Sequence, residues 1–174
     1  MEPRPGLLFC SIEWYNTREV IKMNVTTCSN EDFFEYKKHW GKVVTEIRLP
    51  SDINSQVGQM ILSQLDEAYS YLRIDFGEIE AAKDKADSII RQFERSKAEG
   101  SNEDNRKKNA TEYLEKYPVG DGETINMYEW QRLIDSRFKT INSFVTIINN
   151  KQQRLITMTG LMKIDKELGS GMHG

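Results

Sequence analysis

Apolar residues return at steps of three and four from residue 125 to residue 166, at Met127, Trp130, Ile134, Ile141, Val145, Ile148, Leu155 and Met162. No proline interrupts this run, so the spacing predicts one long helix whose apolar seam needs a partner along its length. Gln152 and Thr159 stand where the rhythm asks for apolar residues. A second long pattern covers residues 52 to 98, where Ile53, Val57, Met60, Ile61, Ala68, Leu72, Ile79, Ala82, Ala86, Ile89, Ile90 and Phe93 fall on one side at 100° per residue. Gly58 and Gly77 weaken that helix by about 1 kcal/mol each relative to alanine, a cost that packing absorbs.

Shorter elements fill the rest. Ser29 or Asn30 caps a helix over residues 31–47, with Glu31 and Asp32 in the first turn, where carboxylates oppose the positive helix end. Phe33, Phe34, Tyr36, Trp40, Val43, Val44 and Ile47 give it an aromatic-rich face, and Leu49-Pro50 ends it. Ser51 or Asp52 caps the next helix, which stops at Gly100-Ser101-Asn102. Residues 103–117 read as a short helix, residues 118–122 as a turn, and Asp121 or Thr124 as the opening of the last helix. The predicted fold class is therefore all-α: a long antiparallel two-helix coiled-coil hairpin with a short tip helix and an aromatic amino-terminal helix. It occupies residues 31–168, between an irregular or disordered segment (1–30) and a flexible glycine-rich tail (169–174).

Charge sharpens this picture. The net charge of −3 favours no particular partner, but residues 51–90 hold eight acids against three bases, whereas residues 136–164 hold five cations and no acid. Asp75 sits within the first apolar stripe, and Arg137 and Lys151 within the second. With the tip folded near residues 111–113, partners would have residue numbers adding to about 225, which sets Asp75 across from Lys151 and Asp87 close to Arg137. Such pairs would fix register; solvation at the stripe edge is the alternative.

Composition bounds the class of protein. A chain of 174 residues with 38% hydrophobic and 29% charged residues suits one helical domain with extended arms. Cys10 and Cys28 are read as free thiols of a reducing compartment, against a single disulfide. The GLLFC stretch is too short for a signal core and no run is long enough to span a bilayer, so a cytoplasmic protein without a membrane partner is expected. Residues 1–22 differ in composition from the chain beyond Met23, and read as a disordered tail or as the product of an upstream start codon. The Asn24-Val25-Thr26 triplet has no meaning without a secretory signal.

Catalytic motifs are missing from the sequence: it has no P-loop, HExxH, GxSxG or EF-hand pattern, and its only histidines are His39 and His173. Asp75, Glu78, Glu80 and Asp84 lack the Glu-x-x-His pairs of a di-metal bundle, so no catalytic residue, metal or cofactor is assigned. Two surfaces are candidates for binding. At the tip, Arg91, Arg95, Lys97, Arg106, Lys107, Lys108 and Lys116 stand with Tyr113 and Tyr117, though six acids among them leave a surplus of only one charge. Cations there would track phosphates and tyrosines would stack on unpaired bases; a solvated helix carrying i,i+4 pairs is the plain alternative. The second surface is the outer face of the last helix, where Lys139, Asn142, Ser143, Thr146, Asn150, Gln153, Arg154 and Thr157 align.

An aromatic first helix, a long arm closing on Arg91, Arg95, Lys97 and Gly100, a short helix, and a return helix carrying NNKQQRL (149–155) together resemble phage-encoded helical-hairpin proteins. The layout over residues 31–166 is most similar to the recombination-mediator family of T-even phages. That resemblance implies a homo-oligomer that binds single-stranded DNA and loads a recombinase-like protein. On charge and spacing, Arg106, Lys107, Lys108, Lys139, Arg154 and Tyr113 are the residues expected to bind nucleic acid. The other function expected of such a chain is a structural, assembly or chaperone-like coiled coil with no nucleic-acid role.

Overall fold

The computed structural model describes residues 24–49, 54–96 and 103–170. Those residues form four helices and one small sheet. Helix α1, Asn30–Glu46, starts where the Ser29 hydroxyl accepts from the Asp32 N–H at 3.0 Å, with Glu31 and Asp32 in its first turn. Helix α2 spans Ser55–Ser96, roughly 63 Å. Its cap is Asn54, which accepts from the Val57 N–H at 2.8 Å; Ser51 and Asp52, expected in that role, lie outside the described residues, as do Ile53, Lys97 and Gly100. Helix α3, Glu103–Glu115, is followed by strands β1 (Tyr117–Gly120) and β2 (Glu123–Ile125), an antiparallel pair in place of a simple turn. Gly120, Asp121 and Gly122 all have positive φ at its tip, a backbone that two glycines make cheap. Helix α4 then runs over Met127–Ser170, past the expected end at residue 166. Asn126 opens it, accepting from the N–H groups of Tyr128 and Glu129, in place of Asp121 or Thr124.

The two long helices pack antiparallel, and their polar cross-links show the register. Gln152 donates to Asp66 at 2.6 Å, Lys83 lies 3.6 Å from Asp135, and Gln131 donates to Asp87 at 2.6 Å. The two residue numbers add to the same total in all three pairs, and that total falls below the expected 225 by about two helical turns. Asp75 therefore does not meet Lys151, and Asp87 does not meet Arg137. The inner stripe is as the periodicity predicts at Ile134, Ile141, Val145, Ile148 and Leu155 on α4, and at Ile61, Ala68, Leu72, Ile79, Ala86 and Ile90 on α2. Leu65 and Phe76 join it, while Met60 and Met162, both placed in a stripe by spacing, are exposed.

Helix α1 turns the base of the hairpin into a three-helix bundle. Tyr36, Trp40, Val43, Val44 and Ile47 enter the same core as Leu72 and Ile141, while Phe34 faces outward. Each such large side chain removed from water contributes about 1.5–3 kcal/mol. Residues 24–29 form an irregular lead-in whose Val25 is fully buried in this core. At the tip a smaller cluster joins Ala86, Ile90, Leu114 and Met127, and Trp130 packs against both clusters.

Candidate binding faces of the hairpin

The two cations within the α4 stripe anchor α1. Arg137, 1% exposed, donates to the carbonyls of Val25 at 3.0 Å and Cys28 at 2.9 Å and to Asn30 Oδ1 at 3.2 Å, with its guanidinium 4.9 Å from the Phe33 ring centre. Among the described residues no carboxylate pairs with it; main-chain dipoles and the ring face take that place, and its Nε has no hydrogen-bond partner there. Two heptads on, Lys151 donates to the Val44 and Ile47 carbonyls, which the end of α1 leaves without helical partners. Burial holds the Lys151 amine below its usual range. The pair thus grips α1 at its start and its end, so α1 runs in the same direction as α4.

Asp75 does have a partner, but on α1. The Tyr36 hydroxyl donates to its carboxylate at 2.7 Å in the core. Burial pushes the Asp75 carboxyl up to about 6, against the opposing pull of that hydrogen bond. Burial first, and then the neighbouring carboxylate, push the Tyr36 hydroxyl far above its ordinary value. Nearby, burial raises the Cys28 thiol against the lowering effect of Arg137, and lowers the His39 imidazole. Cys28 is a free thiol. Sequence reasoning missed this trio of anchors; the available signal was the two-heptad spacing of Arg137 and Lys151, which matches the length of α1.

The residues expected to bind nucleic acid fall into two separate sets. At the tip, Arg106, Lys107 and Lys108 are exposed, but Lys107 lies 2.8 Å from Glu103 and Lys108 3.8 Å from Glu112. Tyr113 is half-buried: Phe93 stacks on it at 4.7 Å and Tyr117 meets it edge-on at 6.0 Å, so the ring forms part of the joint between α2 and α3. Arg91 and Arg95 line an open hollow with Asp84, Asp87, Ser88 and Gln92, which places carboxylates beside the cations.

The outer face of α4 is as the spacing predicts, with Lys139, Asn142, Ser143, Thr146, Asn150, Gln153, Arg154 and Thr157 all exposed. Lys139 and Arg154 are roughly 22 Å apart along the axis, and Arg154 lies about 40 Å from the start of the helix at the tip. Ser143, Thr146 and Thr157 donate to carbonyls of their own helix, which leaves the amides and the two cations as the outward donors. Towards its carboxyl end α4 also displays large apolar side chains, Ile156, Leu161, Met162 and Ile164.

Among the described residues no helix is long and apolar enough to cross a membrane, and no group of three or more His, Cys, Asp or Glu is placed to hold a metal ion. Comparison with protein-family models, curated proteins and solved structures finds no match.

Proposed function

We propose that the chain is a non-enzymatic, homo-oligomeric assembly protein, a helical hairpin that works by binding other chains along its length. The observation that carries this reading is the outward display of Ile156, Leu161, Met162 and Ile164 within about 12 Å of helix near the carboxyl end of α4, beside an inner stripe that is almost completely buried. Clustered apolar side chains in water mark a surface that a partner covers. Light scattering on the full chain at micromolar concentration tests it. A mass of several chains is expected, and a monomer would remove the reading.

A second reading is an accessory protein of DNA transactions, a phage recombination mediator that binds single-stranded DNA and a recombinase-like partner. The acid-free stretch from Ser136 to Ile164 favours it, with Lys139 and Arg154 as the outward cations. The tip favours it less, because Glu103 and Glu112 already hold Lys107 and Lys108 and phosphate would have to displace them. A single-stranded oligonucleotide titrated at several salt concentrations separates the two readings. Binding whose log affinity falls steeply with log salt, and less steeply in a Lys139→Gln/Arg154→Gln variant, would place nucleic acid on α4. A cytoplasmic setting, with Cys28 kept as a thiol, belongs to both readings.

A further inference from the structure

Two exposed stripes on the hairpin share one pattern and spacing and carry opposite charges at their centres. On α2, Met60 (39% exposed), Glu67 and Ile74 (62% exposed) stand seven residues apart; on α4, Ile147 (38% exposed), Arg154 and Leu161 (58% exposed) do the same. Seven residues are two turns, so each stripe is a straight line of apolar, charged and apolar side chains roughly 21 Å long. Five of the six positions directly precede a buried inner residue, as Glu67 precedes Ala68 and Arg154 precedes Leu155; Leu161 precedes the exposed Met162. One copy cannot join its own two stripes, because the inner faces of α2 and α4 are already packed on each other.

We infer that copies of this chain associate head to tail, the Met60–Glu67–Ile74 stripe of one lying against the Ile147–Arg154–Leu161 stripe of the next. This rests on the assembly reading and names the surfaces that carry it. Laid antiparallel, Met60 meets Leu161, Glu67 meets Arg154 and Ile74 meets Ile147. The residue numbers of the three pairs share one total, which is what antiparallel helices in a single register require. Charge selects this direction. Antiparallel, Lys139 of one copy comes level with three exposed acids of the next, Glu78, Glu80 and Asp84, against one exposed cation, Lys85; parallel, it would lie before the start of α2. Among the described residues no cation of positions 136–164 forms an ion pair with an acid of α2 inside the hairpin, so Lys139 and Arg154 are left to meet such acids between copies. The contact joins two different surfaces, so the assembly closes as a ring or continues as a filament.

The test is charge exchange, read by sedimentation velocity on the full chain at low and high salt. Arg154→Glu alone sets like charges together at the contact, as does Glu67→Arg alone, and each should weaken association roughly tenfold or more. The double variant should regain the parent mass, because every contact then joins opposite charges, and an equimolar mixture of the two single variants should reassociate by alternating along a filament or an even-numbered ring. Both residues are exposed, so circular dichroism should show parent-like helicity throughout. A parent that is monomeric overturns both this inference and the assembly reading. An oligomeric parent whose mass is unmoved by the single variants overturns the inference alone. Dissociation that neither the mixture nor the double variant reverses also overturns it, as does a mass that rises only when a single-stranded oligonucleotide is added.

Discussion

At the base of the hairpin, α1, α2 and α4 enclose Tyr36, Trp40, Leu72 and Ile141, whereas at the tip α3 adds only Ala110 and Leu114 to the interior. The base is closed by charged and polar side chains in its core: Arg137 ties α4 to the lead-in of α1, Lys151 ties α4 to the end of α1, and the Tyr36–Asp75 pair joins α1 to α2. The tip is closed by ring contacts among Phe93, Tyr113 and Tyr117, a positive-φ turn, and ion pairs that face water. A buried polar anchor fixes one geometry, because leaving it unpaired costs far more than its pairing contributes. Ring contacts and surface pairs are more tolerant. The two ends should therefore fail in different ways when a single residue is removed.

Arg137→Met should have the largest effect. It leaves the Val25 and Cys28 carbonyls without their donor in a buried site, at about 1–3 kcal/mol for each. Thermal melting followed by circular dichroism should show the drop, and hydrogen exchange should show it concentrated in α1. Equal loss of protection across α3 would mean that the anchor supports the whole molecule rather than its base. Leu114→Ala comes next, at about 2–5 kcal/mol for a fully buried leucine at the tip. Its exchange pattern should be the reverse, with α3 and the first turns of α4 opening while α1 stays protected.

This contrast also explains what the sequence disclosed. The inner stripes of α2 and α4 were legible because burial repeats with the helical period at Leu72, Ile79, Ile141 and Ile148. The Ser29 cap was legible because its acidic first turn stands beside it. The roles of Arg137 and Lys151 were not, because periodicity assigns a residue to a stripe without saying which neighbour it meets. Their partners are main-chain carbonyls, which every residue carries. The tip hairpin was hidden for a related reason: Gly120-Asp121-Gly122 announces a turn, but pairing between Tyr117 and Ile125 depends on backbone geometry. For the binding faces, exposure along α4 followed directly from the spacing, while the stacking of Tyr113 on Phe93 needed the fold of the tip.

An effect at the lower end of the range of either deletion is expected at the Tyr36–Asp75 link, and it should depend on pH. With a folded value of about 6 against 3.8 for the free group, Asp75 takes up its proton more readily in the folded chain. The stability this supplies is fully present below about pH 4 and is lost as pH rises through 6, a contribution on the order of 3 kcal/mol. Asp75→Asn keeps an acceptor for Tyr36 and removes the charge, so it should abolish that slope and raise stability at pH 8. Tyr36→Phe leaves the carboxylate without its donor and should cost about 1–3 kcal/mol, more at pH 8 than at pH 4. Urea denaturation at the two pH values measures both. Identical slopes in parent and Asp75→Asn would mean that the carboxylate stays ionised through this range in the folded protein.

The smallest effect on stability belongs to the tip pairs, where Glu103 holds Lys107 and Glu112 holds Lys108 in full contact with water. Solvent screens both pairs, so Glu103→Gln/Glu112→Gln should leave the melting curve unchanged within the scatter of repeats. The same variant has a second use, because it releases two cations without adding any. If a nucleic-acid strand contacts the tip, the released lysines should raise its affinity and steepen the dependence on salt by up to about one unit of slope for each phosphate gained. If the strand contacts only the outer face of α4, the slope should stay at the parent value in this variant and fall in Lys139→Gln/Arg154→Gln. Parallel titrations of the two variants against one oligonucleotide therefore assign any binding to one end of the comparison or the other, and binding by neither leaves association between copies as the work of the hairpin.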